Sequence, residues 1–275
     1  MSNKAFYEQK NYDISHWTDS NGTRSLDSAT HLHRDLELVL LLEGETEVLA
    51  DSVHAKMKGG DVFLTFPNQI HAYKTIQRER YMIFTVKADL LPELAEVFEL
   101  SIPRSPVIEG AGRDPHVLAL FEALAEACRL ENHPYADARR RGYLLALFAE
   151  LLGRMDITGI AVGDSGALRS IVAFCTRNFS ENLSLSLLEE KLHLNKYYIS
   201  HLFSGKLGLR FNDYVNSLRI SEACRYLVAT DRSVTEISEL VGFNTLRTFN
   251  RSFIKQMGMS PSEYRKQDAP SLKRP

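Results

Sequence analysis

Apolar and polar residues alternate in two different ways along this chain, and each pattern predicts a different kind of element. Between residues 12 and 87 the apolar positions form short runs separated by turn residues, a pattern typical of β-strands. Strands are expected at about 12–17, 36–42, 45–50, 53–57, 61–66, 71–76 and 80–87. The expected breaks between them are Asn21-Gly22, Glu43-Gly44, Asp51-Ser52 and Gly59-Gly60. So many short strands favour a small barrel or jelly roll.

Two amphipathic helices are predicted after the strands, over residues 115–130 and 135–155. The first is expected to bury Leu118, Phe121, Leu124, Ala125 and Cys128. The second is expected to bury Leu144, Leu145, Phe148, Leu151 and Leu152. Because these apolar stripes are broad, the helices either pack onto their own barrel or pair with a second copy of the chain.

A stretch with three glycines and no strong periodicity, residues 156–166, is predicted to link two domains. Asp164 or Ser165 can cap the helix that opens the second domain near Ala167. The tail, residues 267–275, is expected to be disordered.

The C-terminal part contains one pattern twice: a short amphipathic helix, a tight turn and a second helix with polar and cationic positions. In the first copy, residues 185–207, apolar leucines recur at near-helical spacing, and Asn195 can cap a helix from Lys196 to about Lys206. In the second copy, residues 234–257, Gly242 ends the first helix and Asn244 can cap the next. The apolar face of that first helix is expected to consist of Ile237, Leu240 and Val241.

Between the two copies, residues 211–229 are predicted to form one longer helix. Its inward residues are expected to be Tyr214, Leu218, Ala223, Tyr226 and Leu227. A helix pair joined by a short turn is the device that places a helix in the major groove of DNA. Two such pairs separated by one rigid helix indicate a DNA-binding protein more strongly than one pair alone.

A set of residues between Arg219 and Arg265 carries a family resemblance. The set consists of Arg219-Ile220, Ala223, Leu227, Ile237, Val241-Gly242-Phe243, Phe249, Phe253 and Gly258-x-Ser260-Pro261-x-x-Tyr264-Arg265. These pieces resemble the signature of the AraC/XylS family of bacterial transcription regulators. The resemblance covers residues 167–266 closely and the remainder more loosely. It implies two recognition helices in successive major grooves of double-stranded DNA, bridged by the long helix.

Base reading needs side chains that reach the groove edges, and phosphate binding needs cations or helix N-termini beside them. The candidates on the first recognition helix are Lys196, Tyr197, Ser200, His201 and Ser204. Those on the second are Thr245, Arg247, Thr248, Asn250, Arg251 and Lys255. Inward packing is expected of Ile199, Leu202, Phe203, Leu246, Phe249 and Phe253.

The two recognition helices are not expected to bind DNA equally well. Where the family resemblance leads one to expect basic residues, the first has His201, Ser204 and Gly205. Fewer charges and a helix-weakening glycine predict that the first motif contributes less to affinity than the second.

In the strand region, His31-x-His33-x-x-x-Glu37 is followed by Gly44, and later by Gly60-Asp61, Pro67 and His71. This resembles the two motifs of the cupin superfamily, with Asn68 in place of a glycine. Alternate residues of a strand face the same side, so His31, His33, Glu37 and His71 can meet inside a barrel. Three imidazoles and a carboxylate would suit zinc, manganese, iron or nickel.

Three interpretations of this cluster stay open: a divalent metal site, a polar lining for a small effector, and inherited structural positions. No cofactor is expected beyond such a metal. Tyr73 joins the candidate effector-binding residues. Trp17, Phe63 and Phe84 are candidates for the aromatic walls of a pocket, although packing in the core is the favoured interpretation for each. Glu37 lies between Leu36 and Leu38, and burying its charge without a partner would be costly.

Charge differs between the two halves of the 275 residues. Residues 167–275 carry 16 Lys and Arg against 10 Asp and Glu, whereas residues 1–166 carry 17 against 25. A basic half joined to an acidic half fits a DNA-binding module attached to a sensor. The cysteines Cys128, Cys175 and Cys224 have no paired spacing and are expected to be reduced. The polar start and the short apolar stretches predict a cytoplasmic protein without membrane association.

These patterns predict an α+β protein. Residues 1–155 would form a cupin-like sensing and dimerisation domain, with the barrel over about 6–88 and helices over about 90–155. A linker, 156–166, would lead to an all-α DNA-binding domain with two helix-turn-helix motifs, 167–266. The family resemblance implies a transcriptional activator that is not an enzyme, forms homodimers, contacts RNA polymerase and responds to a sugar or oligosaccharide. The alternatives are a metal-dependent cupin enzyme fused to a DNA-binding domain, and a regulator without an effector that is controlled by abundance or a protein partner.

Overall fold

A computed structural model describes residues 13–51, 53–130, 133–159 and 164–268. The chain falls into two compact units that divide between Ser165 and Gly166. The first unit is built on a β-sheet and the second is helical, as the sequence predicts.

The main sheet of the first unit is antiparallel and has seven strands. They are β1 (Ile14–Asp19), β2 (Ser28–His31), β3 (Leu36–Ala50), β4 (Val53–Lys58), β5 (Val62–Thr65), β6 (His71–Val86) and β8 (Val107–Ile108). The path through the sheet is β1-β6-β3-β5-β8, with β2 paired to β6 and β4 paired to β3. A separate two-stranded sheet consists of β7 (Ser101–Pro103) and β9 (Ile157–Gly159).

Two predicted strand breaks are wrong. β3 continues through Glu43-Gly44, and β6 continues through the expected gap between residues 76 and 80. The two strands pair along nearly their whole length, with irregular register between Leu41 and Thr46. Gly44 adopts φ of 97°, and a Cβ there would lie 2.3 Å from the Arg78 carbonyl oxygen, so the glycine permits an irregularity rather than a turn.

The two faces of the sheet bury different cores. Leu36, Leu38 and Leu40 alternate on one face and belong to a core shared with two helices. Those helices are α2 (Pro115–Arg129) and α3 (Ala136–Leu152), close to their predicted positions. On the other face, Val39 and Leu41 belong to a second core inside the barrel. This interior face also carries the polar cluster, because Glu37 precedes Val39 by two residues.

Short elements that the sequence did not reveal connect these parts. Three 3₁₀ turns are Ala88–Leu90, Pro92–Leu94 and Ala111–Arg113, and α1 spans Ala95–Leu100. The predicted linker, residues 156–166, is not irregular throughout. Its residues 157–159 form β9, and α4 (Asp164–Arg177) already contains Asp164 and Ser165, the two residues predicted to cap it. The predicted disordered tail lies almost entirely outside the described residues.

The second unit consists of α4 and six further helices. They are α5 (Leu185–Leu192), α6 (Lys196–Leu202), α7 (Phe211–Ala229), α8 (Val234–Leu240), α9 (Leu246–Met257) and α10 (Pro261–Asp268). The long helix α7 has its predicted bounds. One part of it packs against the first motif, where Phe203 lies 5.2 Å from Tyr214 between ring centroids. Another part shares a core with Phe249 and Phe253 of the second motif.

Several local predictions in the second unit need correction. α6 ends at Leu202, and Phe203–Leu207 form a π-helical turn, so the expected helix to Lys206 is shorter. Thr245, not Asn244, caps α9, since its hydroxyl accepts a hydrogen bond from the Thr248 backbone N–H. Leu240 and Leu246 are exposed rather than inward, at 42% and 37%.

Candidate effector site and DNA-binding face

Four of the predicted site residues meet in the barrel interior. The potential ligand atoms of His31, His33, Glu37 and His71 all lie within 4.8 Å of one another, and all four residues are buried. His31 pairs with His71 across the β2–β6 ladder, which places their rings 4.2 Å apart between centroids. Glu37 lies on β3, and its carboxylate is 3.2 Å from His33 Nε2 and 3.4 Å from His71 Nε2.

Hydroxyl groups from neighbouring strands orient the Glu37 carboxylate. The Tyr73 hydroxyl donates to Oε1 at 2.7 Å, and the Thr85 hydroxyl donates to Oε2 at 3.3 Å. Thr65 and Thr85 are the direct cross-strand neighbours of Glu37 on β5 and β6. Neither threonine was predicted, because strand register cannot be read from the local sequence; only Tyr73 was.

Backbone carbonyls hold one nitrogen of each imidazole. Nδ1 of His31, His33 and His71 lies 2.9, 3.0 and 2.9 Å from the carbonyl oxygens of Ala29, Asp35 and Gln69. A carbonyl only accepts, so each Nδ1 must donate. The other nitrogen, Nε2, faces the Glu37 carboxylate in His33 and His71, and that of His33 lies within hydrogen-bond distance of Oε2, at 3.2 Å.

The charge state of the cluster follows from this arrangement. Burial works to raise the pKa of the Glu37 carboxyl, but His33 and His71 outweigh it and hold the pKa well below its usual range. Burial, together with the Glu37 charge, raises the pKa of the Tyr73 hydroxyl well above its usual value. Glu37 is therefore ionised and Tyr73 is a neutral donor near neutral pH.

Buried polar atoms without hydrogen bonds gather around this cluster. Among the described residues, Thr65 Oγ1, Asn68 Oδ1 and His71 Nε2 are buried and make no hydrogen bond. His71 Nε2 is close to Glu37 but outside hydrogen-bond geometry. Asn68 is tied to the cluster through its backbone N–H, which donates to the His33 carbonyl at 2.8 Å. Asn68 has a φ of 63°, in the left-handed region. This explains why the cupin motif usually has glycine at this position.

The predicted aromatic walls divide between two faces of the sheet. Phe63 lies in the interior core, with its ring centroid 5.1 Å from that of Tyr73. Trp17 pairs with Ile83, which packs against the same core, so it lies at the rim of the interior. It is 43% exposed, and the Arg24 guanidinium lies 4.0 Å above its ring. Phe84 faces the helix core instead, which agrees with the core packing favoured for it from the sequence.

The second recognition helix, α9, presents one cationic face. Arg247, Arg251 and Lys255 follow one another at four-residue spacing and are exposed, whereas Phe249 and Phe253 are fully buried on the opposite side. Lys255 forms an ion pair with Asp213 of α7 at 3.1 Å. The remaining candidates are exposed or half-buried: Thr245, Thr248 and Asn250.

The first recognition helix, α6, presents a smaller and less charged face. Tyr197 is 75% exposed, and Ser200, His201 and Ser204 are exposed as well. Lys196 is half-buried, with its ammonium 5.6 Å from the Tyr197 ring centroid. The Ser204 hydroxyl donates to the carbonyls of Ser200 and His201 within the helix.

No helix in the described ranges is long and apolar enough to span a membrane.

Two family models match the chain. Residues 20–148 match an AraC-like ligand binding domain, and residues 188–267 match a helix-turn-helix domain. The first match contains the whole polar cluster, and the second contains both recognition helices.

Two curated relatives are similar over more than half of the chain. The uncharacterised transcriptional regulator YfiF of Bacillus subtilis is 24% identical over 254 residues, which covers 88% of this chain and 80% of YfiF. The raffinose operon transcriptional regulatory protein RafR of Pediococcus pentosaceus is 27% identical over 153 residues, 55% of each chain. The chain spans only 13%, 39% and 32% of the length of three further curated regulators, two from Bacillus subtilis and one from Escherichia coli.

A solved structure shows the same fold. ToxT from Vibrio cholerae, in a complex with a naphthyl-substituted butenoic acid, superposes with a TM-score of 0.52 at 14% identity. The superposition covers 93% of this chain and 99% of that one. Together with the two domain matches, it confirms a sheet-rich ligand domain followed by a helical DNA-binding domain. The chain belongs to the AraC/XylS family of transcriptional regulators.

Proposed function

We propose that this protein is a cytoplasmic, sequence-specific transcriptional regulator whose DNA binding is controlled by a small effector held in the barrel. The main support for the proposal is the polar cluster buried inside the barrel of the ligand-binding domain. The same chain also presents the cationic face of α9. In this proposal the barrel domain binds the effector and the two recognition helices bind DNA.

The cost of the cluster supports a ligand-binding role. Glu37 is ionised and 2% exposed, and three imidazoles are buried beside it. Burying a carboxylate and leaving polar atoms without hydrogen bonds destabilises a fold unless a bound group offsets the cost. Apolar residues could fill this space without such a cost, so a purely structural role is the weaker interpretation.

A sugar or oligosaccharide is the effector class that we favour. The interior joins hydrogen-bonding groups to an aromatic rim formed by Trp17, a combination that suits a hydroxylated ring. RafR, which is similar to this chain over more than half its length, is named for a sugar operon.

Effector binding would act by shifting the population of arrangements of the barrel and the DNA-binding domain. We further propose that the protein is an activator that works as a homodimer and contacts RNA polymerase. The helices α2 and α3 are the candidate dimer surface, because Leu118, Leu145 and Leu152 remain only partly buried in one copy. A dimer would present four helix-turn-helix units to paired half-sites.

The DNA-binding part of the proposal is tested by selecting sequences from a random duplex library with the full chain. We expect one enriched sequence with two half-sites, and an affinity that falls steeply with salt because lysines and arginines displace counterions from phosphates. Binding without sequence preference would contradict the proposal.

The effector part is tested by a thermal-shift screen of the full chain against sugars and other small metabolites. A ligand that binds only the native state raises the melting temperature as its concentration exceeds its dissociation constant. A hit that also changes affinity for the selected DNA supports the proposal. Chemical conversion of the hit would favour the enzyme alternative, and saturated DNA binding without any ligand would favour a regulator without an effector.

A further inference from the structure

We propose that Leu246, the first residue of α9, selects a thymine in the half-site of the second helix-turn-helix motif by contacting the methyl group of that base. The inference rests on the proposed function and deepens it, since it names one base that this DNA-binding face selects. It also assigns a role in DNA recognition to a residue that the apolar pattern of the sequence places in the core.

The exposure of Leu246 is the first argument. The apolar pattern predicts inward positions for Leu246, Phe249 and Phe253 alike. The two phenylalanines are 0% exposed, whereas Leu246 is 37% exposed. More than a third of this apolar side chain is therefore left in water on a helix whose other exposed residues are mostly polar or cationic.

The backbone holds Leu246 firmly at the N-terminal end of the recognition helix. The Thr245 hydroxyl caps α9 by accepting from the Thr248 backbone N–H at 3.2 Å, and it lies 2.9 Å from the Thr248 hydroxyl. In the preceding turn, the Phe243 backbone N–H donates to the Ser238 carbonyl at 2.9 Å. A side chain on so constrained a backbone loses little conformational freedom when it meets a base.

A comparison of the two motifs shows that the fold does not require an apolar residue at this position. When the caps Asn195 and Thr245 are aligned, the buried residues of the two motifs coincide. The matching buried pairs are Ile199 and Phe249, Leu202 and Ser252, and Phe203 and Phe253. Leu246 then matches Lys196, so the same position accepts an ammonium side chain in the first motif and an alkyl side chain in the second.

The chemistry of the major groove determines which base a leucine can select. Helix-turn-helix proteins place the N-terminal residues of the recognition helix against the base edges. A leucine has no hydrogen-bonding group, and the C5-methyl of thymine is the one methyl group that base pairs present in that groove. Opposite any other edge, a leucine displaces water from donors and acceptors that it cannot satisfy. Leu246 therefore favours thymine by apolar contact and disfavours the other bases by desolvation.

The rest of α9 supplies the polar contacts that Leu246 lacks. Arg247 follows it directly and Asn250 lies one turn later, and these side-chain types suit guanine and adenine edges. Ile254 is also apolar and is 48% exposed, but it lies about 12 Å further along the helix axis, away from the N-terminal end. Ile254 is therefore a matched control for an apolar side chain on the same helix.

The test compares thymine with uracil, which keeps the base pair and lacks only the methyl group. Each thymine of the selected duplex is replaced by uracil, one at a time, and the affinity of the full chain is measured by fluorescence anisotropy. We expect one replacement to weaken binding about fourfold, the effect of withdrawing one methyl group from an apolar contact. A selected site without thymine, or one at which no uracil weakens binding, would overturn the proposal.

Three variants locate the contact. Leu246→Ala should bind the thymine and uracil duplexes equally at that position, because the side chain that contacts the methyl group is gone. Leu246→Met keeps an apolar side chain of similar volume and should still prefer thymine. Ile254→Ala should prefer thymine as the wild type does. A thymine preference that survives in Leu246→Ala, or that is lost in Ile254→Ala instead, would overturn the assignment to Leu246.

The wild type separates this inference from the proposed function. Sequence-selective binding without an effect of the methyl group would leave the regulator standing and remove the role of Leu246. Binding without sequence preference would contradict the proposed function itself, before thymine and uracil are compared.

Discussion

At the residue scale, the sequence predicts side-chain types and faces, but not the neighbours that come from distant strands. The cationic face of α9 follows from four-residue spacing, so Arg247 and Arg251 were found from the sequence. Thr65 and Thr85 were not, because they meet Glu37 only through the register of two strands. Two positions stayed open for Phe84, in the core or on a pocket wall, because the face of its strand depends on pairing.

Replacement of Arg251 by alanine should weaken binding to the selected DNA by about 1–3 kcal/mol if the guanidinium reads a base. The side chain is exposed on α9, opposite two buried phenylalanines, so its loss should not disturb the fold. Fluorescence anisotropy with labelled duplex measures the change. The matched control is Arg177→Ala, an exposed arginine on α4 that removes the same charge. Equal losses in the two variants would show that net charge, not Arg251, determines affinity.

Replacement of Gly242 by alanine should lower the melting temperature more than replacement of Gly258 does. Both glycines have left-handed backbone, with φ of 87° and 73°, which costs a residue with a Cβ about 1–2 kcal/mol. At Gly242 a Cβ would also lie 2.4 Å from the Ser180 carbonyl oxygen, whereas nothing lies within 4 Å at Gly258. Differential scanning calorimetry measures the two variants. If both melt alike, the close approach at Ser180 does not constrain the fold.

At the element scale, helices with a clear apolar period were predicted best. Helix α7 has its predicted bounds because its backbone hydrogen bonds run within the helix, although it buries side chains against both motifs. The strand β2 and the continuous paths of β3 and β6 were missed, because their hydrogen bonds come from distant segments. The end of α6 was misjudged because a π-helical turn keeps the chain helical after the regular hydrogen-bond pattern has ended.

The N-terminus of α8 should depend on its capping box. The Ser233 hydroxyl accepts from the Glu236 backbone N–H, and the Glu236 carboxylate accepts from the Ser233 backbone N–H. Ser233→Ala should therefore destabilise the domain by about 0.5–2 kcal/mol, measured by urea denaturation. The control Ser186→Ala changes an exposed serine of α5 and should stay within about 0.5 kcal/mol of the wild type. A Ser233 variant as stable as that control would show that the cap is dispensable.

The two recognition helices should contribute unequally to DNA affinity. α6 ends after seven residues and carries the neutral Ser200, and the turn after it carries the neutral Ser204, while α9 carries two exposed arginines. His201→Ala should therefore weaken binding to the selected duplex less than Arg251→Ala does. If His201→Ala weakens DNA binding as much as Arg251→Ala does, the second motif does not contribute more to affinity than the first.

At the scale of the whole molecule, the sequence predicts both domains and their order, and the family matches and the fold confirm them. The prediction of two domains depended on a change in the spacing of apolar residues, from strand-like alternation to helical spacing. This change can be recognised without knowledge of distant contacts. What the sequence did not predict is the strand register around Glu37, since that comes from long-range strand pairing.

The most direct test of the account compares DNA affinity of the wild type and Glu37→Gln in the full chain, with and without the ligands that raise the melting temperature. We expect such a ligand to change the affinity of the wild type for the selected duplex. The same ligand should leave the affinity of Glu37→Gln unchanged, because the buried carboxylate is the centre of the sensing cluster. A variant that responds to the ligand as fully as the wild type would contradict the central claim that the barrel cluster controls DNA binding.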